Sequence, residues 1–173
     1  MNDRYQRARL LTESVIGAAI EVHKAKGPGL LEDIYEWCFL RELELRQLRT
    51  TSQKAVVIEY KGAKREAPLR FDVLVEDCLL VELKAVERTL PIHKAQLLSY
   101  MKLMNVPLGL LINFNVERLV DGVSRLILPG AGEETRTGVG RESRGREALN
   151  KLSNVPSVSS APSCSSIPEH EDE

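Results

Sequence analysis

Hydrophobic and polar positions divide the first 130 residues into helical and strand-like segments. Apolar residues recur at helical spacing in "RARLLTESVIGAAIEVHKAKG" and "LEDIYEWCFLRELELRQL", with Gly27-Pro28-Gly29 as a stop between them. A third helix is predicted for "PIHKAQLLSYMKLM", which opens with Pro91 at a favourable first-turn position. The pattern therefore predicts two helices near the N-terminus and one further along the chain.

Strands are predicted where short apolar runs are bounded by turn residues. They are "AVVIEY" (55–60), "LRFDVLV" (69–75), "CLLVELK" (78–84), "VPLGLLINF" (106–114) and a short additional segment, "SRLIL" (124–128). The resulting order, ααβββαβ(β), predicts an α/β domain in which a mixed sheet with an antiparallel start is flanked by helices.

Composition changes from Ala131 onward, where Ser, Gly, Arg and Pro dominate and periodic apolar residues are almost absent. We therefore predict one domain, 1–130, followed by a disordered low-complexity tail, 131–173. The domain holds 19 basic and 17 acidic residues, a net charge of +2, and the tail holds 5 and 8, a net charge of −3. A domain with this balance would bind nucleic acid only through a local patch.

Targeting signals are not evident in the sequence. No apolar run reaches the ~18 residues that a membrane span needs, and the N-terminus lacks the features of a signal peptide. The three cysteines, Cys38, Cys78 and Cys164, are far apart, which is typical of reduced thiols and not of a disulfide framework or a zinc site. These features predict a cytoplasmic protein without membrane association.

Charged residues interrupt two of the predicted strands. Because side chains alternate along a strand, Glu82 and Lys84 share a face, and burying them unpaired would be costly. If Asp72 in the preceding strand shares that face, two carboxylates and an ammonium converge. Two carboxylates with solvent oxygens suit Mg²⁺, and Lys84 would orient a nucleophile or stabilise developing charge. Taken alone, the spacing fits solvated hairpin charges or a structural Glu–Lys pair slightly better.

The length of the hairpin loop decides between these alternatives. Opposed residues in an antiparallel hairpin have numbers that add to a constant. A two-residue loop at Glu76-Asp77 would oppose Asp72 to Val81 and place Glu82 on the other face. A shared site for Asp72 and Glu82 therefore predicts an odd-length loop or a bulge in this hairpin.

Further polar residues stand at helical spacing near these strands. His93, Gln96 and Tyr100 lie on one face of the third predicted helix, and Glu32 lies one turn into the second, where a helix N-terminus favours a carboxylate. Each of these residues, taken singly, is typical of a capping, surface or core position.

Together these residues resemble the PD-(D/E)XK nuclease superfamily. Asp72 followed by Glu82-Leu83-Lys84 is similar to its signature, and Gln96 with Tyr100 resembles the Q-x-x-x-Y motif of its RecB-like members. More narrowly, "AIEVHKAKGPGLLEDIYE", "VELKAVE", "HKAQLLSYMKLM" and "GLLINFN" resemble the GxxExxY proteins, over about residues 7–128. The namesake residues of that family match Gly29, Glu32 and Tyr35.

The resemblance implies a restriction-endonuclease-like fold and Mg²⁺- or Mn²⁺-dependent phosphodiester hydrolysis. By position, Asp72 and Glu82 would be metal ligands and Lys84 the catalytic lysine. Glu32 would be an accessory acid, and Gln96 and Tyr100 would support the site or the substrate backbone. Phe71 stands where many superfamily members have a proline, a common variation.

Three alternatives follow, the last of which is a plain structural domain with solvated charges. The first is a nuclease acting on nucleic acid, with DNA favoured over RNA, that works with a homodimer or protein partner because its charge is modest. The second is a catalytically silent binding module with the same fold. Loss of the acids would favour the binding module, but all of them are present.

Overall fold

The structure is a computed structural model that describes residues 3–131, apart from the side chains of Gln53 and Leu69. The predicted tail, residues 131–173, lies outside the described residues except for Ala131. In the described range, no helix is both long and apolar enough to span a bilayer.

Helices and strands follow the predicted order ααβββαβ(β), which is confirmed together with its short last strand. In chain order, the elements are α1 (Asp3–Lys26), α2 (Glu32–Leu45), β1 (Thr50–Tyr60), β2 (Ala63–Val75), β3 (Leu79–Lys84), α3 (Pro91–Leu103), β4 (Leu108–Asn113), a 3-10 helix (Leu119–Gly122) and β5 (Val123–Ile127).

The five strands form one mixed sheet in the order β1-β2-β3-β4-β5. β3 and β4 run parallel, and every other neighbouring pair runs antiparallel. The parallel pair requires a crossover connection, which α3 supplies between β3 and β4. The predicted α/β class, a mixed sheet flanked by helices with an antiparallel start, is confirmed.

Helices cover both faces of the sheet. α1 and α2 pack on one face and α3 packs on the other, where a Cβ on Gly109 would lie 2.6 Å from Met101 Sδ. Period-two alternation along the strands divides the buried side chains between the two faces. The α1–α2 face buries Val73, Val81, Leu83, Leu110 and Ile112, and the α3 face buries Leu74, Leu80, Leu97, Met101 and Leu111.

The β1–β2 hairpin is longer than the sequence pattern predicts. Its outer part pairs regularly from Gln53↔Arg70 to Tyr60↔Ala63, beyond a register shift that follows Thr51. We call this part, residues 53–70, the arm. Its two-residue turn, 61–62, has both φ angles positive, at 48° and 82°, as a tight hairpin turn of the primed type requires.

Candidate active site

An odd-length loop joins β2 to β3. The paired residues run from Val75↔Leu79 to Val73↔Val81, so residues 76–78 form a three-residue connection. The first two loop residues have φ angles of 48° and 56°, in the left-handed region that a tight reversal uses. The predicted odd-length loop is therefore confirmed.

This register places Asp72 directly opposite Glu82, one step beyond the last recorded pair. Backbone pairing between the two strands ends at this point, and the Asp72 side chain takes the place of a backbone acceptor. Asp72 Oδ2 accepts a hydrogen bond of 2.6 Å from the Leu83 N–H. The first carboxylate is thereby fixed against the strand that carries the second.

Glu82 is almost fully buried, with 3% of its side chain exposed. Its Oε1 lies 3.1 Å from Lys84 Nζ. Its Oε2 is buried and has no hydrogen-bond partner within the described part of the chain. A buried carboxylate oxygen without a donor is costly, so this atom is suited to a cation, a water molecule or another hydrogen-bond donor.

The Lys84 ammonium is surrounded by three acceptors. Besides Glu82, Lys84 Nζ contacts Glu32 Oε1 at 3.2 Å and donates to the Leu83 carbonyl oxygen at 2.6 Å. The contacts with Glu32 and the Leu83 carbonyl are hydrogen bonds, and the contact with Glu82 is an ion pair. Glu32 is the most exposed of the partners, at 43% of its side chain, and is the contact that a substrate could replace most readily.

The start of α2, which carries Glu32, is held by Tyr35. The Tyr35 hydroxyl donates to the Gly27 carbonyl oxygen at 2.6 Å and accepts from the Leu30 N–H at 3.1 Å. Its ring stacks on Phe114, with the ring centroids 4.5 Å apart. Tyr35 thus ties the α1–α2 connection to the end of β4.

Gly29, in the same connection, has a φ of 97°, a conformation that favours glycine. The three residues of the G-x-x-E-x-x-Y pattern therefore act on one loop. Gly29 permits the turn, Tyr35 anchors it, and Glu32 begins α2 beside Lys84. This arrangement gives the sequence pattern a physical reason.

Glu36 is a site residue that the sequence analysis did not identify. It lines a cavity of about 160 Å³ together with residues from the base of the arm, and Asp72 forms part of the same wall. The lining residues are Glu36, Ser52, Arg70, Phe71 and Asp72. The sequence did contain a signal for Glu36, because it follows Glu32 by four residues and therefore lies on the same face of α2.

Burial and mutual repulsion weaken the acidity of the two central carboxyl groups. Burial raises the pKa of Asp72, although the Leu83 N–H and the Lys84 charge oppose that rise. Burial also raises the pKa of Glu82, and the neighbouring Asp72 charge raises it further, against the effect of Lys84. An additional cation nearby would stabilise the ionised form of both carboxylates.

The neighbouring charges also shift Lys84 and Glu36. Burial lowers the pKa of Lys84, but the carboxylates of Glu82, Asp72 and Glu32 together outweigh burial and raise it. Lys84 is therefore a permanent cation at neutral pH. Burial raises the pKa of Glu36, as do the charges of Asp72 and Glu32, while Arg70 lowers it. The site is an acidic cluster with one embedded lysine.

Gln96 and Tyr100 lie on α3, but the structure does not link them to this cluster. Gln96 is exposed, and Tyr100 packs half-buried against the core beneath α3. Neither side chain makes a hydrogen bond to another residue of the range 3–131. His93, on the same helix face, accepts from the Leu90 N–H at 3.2 Å and caps the helix. The supporting roles of Gln96 and Tyr100 remain predictions.

The residues present fit a hard divalent cation held by few protein ligands. Residues 3–131 contain no group of three or more His, Cys, Asp or Glu side chains arranged to hold a metal. Two carboxylate oxygens are nevertheless available, Glu82 Oε2 and Asp72 Oδ1, the second because Leu83 engages only Oδ2. Mg²⁺ retains several waters and is commonly bound by one or two carboxylates plus substrate phosphate oxygens.

Comparison with known protein families gives a match over most of the chain. Residues 9–126 match the family model described as PD-(D/E)XK nuclease superfamily. No curated protein matches the chain. Among solved structures, the crystal structure of SSO0001 is similar, with a TM-score of 0.48 and 21% sequence identity. The similarity covers 71% of this chain and 62% of the SSO0001 chain. This chain therefore spans less than two thirds of the length of SSO0001.

The family match includes every candidate site residue, from Glu32 on α2 to Tyr100 on α3. The mixed five-stranded sheet flanked by helices is consistent with the restriction-endonuclease-like fold. The narrower resemblance to GxxExxY proteins and to the Q-x-x-x-Y variant remains a prediction from the residues. Because the matched segment exceeds half of the chain, the protein belongs to the PD-(D/E)XK nuclease superfamily.

Proposed function

We propose that the protein is a metal-dependent nuclease that hydrolyses phosphodiester bonds, with DNA as the favoured substrate over RNA. The proposal rests mainly on the Glu82–Lys84 pair, which lies opposite Asp72. It combines a buried carboxylate oxygen without a partner, a second carboxylate fixed by the backbone, and a permanently charged ammonium. A purely structural ion pair would not require the unpartnered oxygen.

Asp72 and Glu82 would hold the Mg²⁺ or Mn²⁺ ion. When bound, the ion would polarise a phosphoryl oxygen and lower the pKa of a bound water. The acidic side chains of Glu32 and Glu36 border the same site and strengthen its negative potential. This potential favours a cation and repels an uncoordinated phosphate group.

Lys84 would act electrostatically and not as a base. Its raised pKa keeps the ammonium charged, so it stabilises negative charge on the phosphate and orients a nucleophile by hydrogen bonding. A substrate phosphate that approaches Lys84 would compete with its present acceptors, of which Glu32 is the most accessible. Glu32 would therefore position Lys84 in the free enzyme and release it on substrate binding.

The remaining assignments belong to the same proposal. Gln96 and Tyr100 on α3 would support the substrate backbone, as the Q-x-x-x-Y resemblance implies. The domain has only a modest positive charge, so a homodimer or protein partner would supply additional surface for binding nucleic acid. A cytoplasmic location fits the reduced state proposed for the cysteines, Cys38 and Cys78 being free thiols in the described chain.

The decisive experiment measures cleavage of plasmid, linear duplex and single-stranded DNA and of RNA, with Mg²⁺, Mn²⁺ or EDTA. We expect cleavage with either metal and none with EDTA. Lys84→Ala should lower the cleavage rate by at least about 10²–10³-fold, since it removes charge stabilisation in the transition state. Binding of Mn²⁺ should persist in this variant, because both carboxylates remain.

The exposed Lys102 provides the matched control, since Lys102→Ala removes the same charge from the last turn of α3. Its cleavage rate should equal that of the unmodified protein. Equal cleavage by the Lys84→Ala variant would contradict the catalytic role of this lysine. Nucleic-acid binding without cleavage under any metal condition would instead establish the binding module.

A further inference from the structure

The arm extends beyond the body of the sheet. β3 pairs with β2 only from Val73 to Val75, so residues 53–70 form a two-stranded ribbon outside the described β3 ladder. Its eight residue pairs correspond to a length of about 26 Å at ~3.3 Å per residue. Pro68 lies within the ribbon, as is typical of a strand with a free edge.

Positive charge in the domain is concentrated on this arm. The arm carries five basic and two acidic residues, a net charge of +3, while the rest of residues 1–130 carries 14 basic and 15 acidic residues. All of these side chains are exposed. The basic residues are Lys54, Lys61, Lys64, Arg65 and Arg70, and the acidic residues are Glu59 and Glu66.

Internal pairing neutralises only part of this charge. Lys64 lies 3.5 Å from Glu59, and Lys54 lies 3.7 Å from Asp77. Lys61 and Arg65 have no ion-pair partner in the described chain, and Lys61 lies over the Tyr60 ring at 5.4 Å. Charged residues, lysine above all, also protect a free strand edge from aggregation. That role does not require Arg65 and Arg70, whose guanidinium groups suit phosphate oxygens and point to an anionic partner.

The base of the arm adjoins the candidate active site. Ser52 and Arg70 line the same cavity as Glu36 and Asp72, and the Arg70 charge acts on the Glu36 carboxylate. A polyanion that lies along the arm would therefore pass from Arg65 and Arg70 directly to the hydrolytic residues. This continuity distinguishes the arm from a basic patch elsewhere on the surface.

We propose that the arm binds the phosphate backbone of double-stranded DNA and guides the duplex to the Asp72 side of the active site. This inference rests on the proposed function. A two-stranded ribbon fits the B-DNA major groove, which is about 12 Å wide and about 8.5 Å deep. The major groove of A-form RNA is too deep and narrow for such contacts, so the ribbon favours DNA.

The test is fluorescence anisotropy of a labelled 30-base-pair duplex in EDTA, which separates binding from cleavage. For Arg65→Ala and Lys61→Ala we expect a duplex Kd weaker on the order of tenfold at 0.1 M salt. The slope of log K against log salt should become less steep by about one for each substitution. Arg65→Lys keeps the charge and should retain most of the affinity.

Arg125→Ala is the matched control, because Arg125 is an exposed arginine on β5, at the opposite edge of the sheet. Its duplex affinity and salt slope should equal those of the unmodified protein. Equal effects of Arg65→Ala and Arg125→Ala would overturn the proposal, as would equally tight binding of a single strand of the same length.

The outcome is separable from that of the nuclease proposal. Metal-dependent cleavage in the unmodified protein, with no loss of binding in the Arg65→Ala variant, would overturn the role of the arm and leave the nuclease intact. Arm-dependent duplex binding without cleavage under any metal condition would support the arm and contradict the nuclease.

Discussion

Asp72 uses its two carboxylate oxygens for different purposes. Oδ2 accepts the Leu83 N–H and replaces a backbone acceptor where β2 and β3 separate. Oδ1 is left for a ligand. Asp72 thus both completes the hydrogen bonding of the sheet and offers an oxygen to the site. Different substitutions of Asp72 should therefore affect the fold and the binding of a ligand to different extents.

This division predicts the behaviour of an amide at position 72. Asp72→Asn keeps an oxygen acceptor for the Leu83 N–H but removes the charge, so the fold should persist while Mn²⁺ affinity falls by at least about tenfold. Calorimetric titration with Mn²⁺ measures the affinity, and thermal unfolding confirms the fold.

The exposed Asp121, whose carboxylate pairs with Arg118, supplies the control. Asp121→Asn should bind Mn²⁺ as the unmodified protein does. Unchanged affinity in the Asp72→Asn variant would remove Asp72 from the ligand set.

At the scale of elements, the α1–α2 connection and the start of α2 depend on one hydroxyl. Tyr35→Phe removes the hydrogen bonds to the Gly27 carbonyl and from the Leu30 N–H. We expect a loss of about 1–3 kcal/mol in the free energy of unfolding, measured by urea titration. The rate of cleavage should also fall, because Glu32 would no longer be held beside Lys84.

Tyr60→Phe is the corresponding control, since Tyr60 is 70% exposed and lies on the arm. Its unfolding free energy should remain within about 0.5 kcal/mol of the unmodified value. If Tyr35→Phe were equally neutral, the hydroxyl would not hold this connection.

The sequence predicted most elements because their apolar periodicity reflects a face that is buried. The three helices and the inner strands have such a face, and their order was predicted correctly. The first half of β2 was missed because nearly all of its described side chains are exposed, so they show no apolar alternation. Pro68 also lies in this half of β2, at a position that the free edge of the arm makes acceptable.

The site could be predicted where chain geometry alone fixes it. Whether two residues of a hairpin share a face depends on whether the number of loop residues is odd or even. The sequence alone therefore predicted that Asp72 and Glu82 converge only if the loop has an odd length or the hairpin contains a bulge. Glu36 depends on how α2 packs against the base of the arm, which a single sequence does not define. The surroundings of Gln96 and Tyr100 likewise depend on how α3 packs, which a single sequence does not define.

At the scale of the whole molecule, Glu76 joins three parts of the fold. This turn residue between β2 and β3 pairs with Arg7 on α1 at 2.6 Å and with Arg49, just before β1, at 2.9 Å. Side-chain and backbone hydrogen bonds from Arg49, supported by Arg7, lower the pKa of Glu76 to about 2. Its carboxylate therefore stabilises the folded state only while it is ionised.

This shift predicts a component of acid unfolding. Because the folded-state pKa lies below the unfolded value of about 4.5, the contribution is complete above pH 4.5 and disappears as the pH falls towards 2. Glu76→Gln should be less stable than the unmodified protein at pH 7 and equally stable near pH 2. Urea unfolding at a series of pH values measures the difference.

Glu117→Gln, at an exposed glutamate, is the control and should have the stability of the unmodified protein at pH 7. A stability difference for Glu76→Gln that stayed constant between pH 7 and pH 2 would show that the effect is not due to ionisation of this carboxylate.

The three-residue loop at 76–78 also has a consequence for comparing sequences. Directly opposed residues of a regular hairpin are separated by an even number of positions when the loop is odd, as Asp72 and Glu82 are. An aspartate at an odd separation from the E-x-K element would face away from it unless a bulge restores the phase. Single-residue insertions or deletions in this loop should therefore be rare among active relatives, whereas changes of two residues preserve the phase. Parity of spacing, more than spacing itself, would separate functional members of this pattern from chance matches.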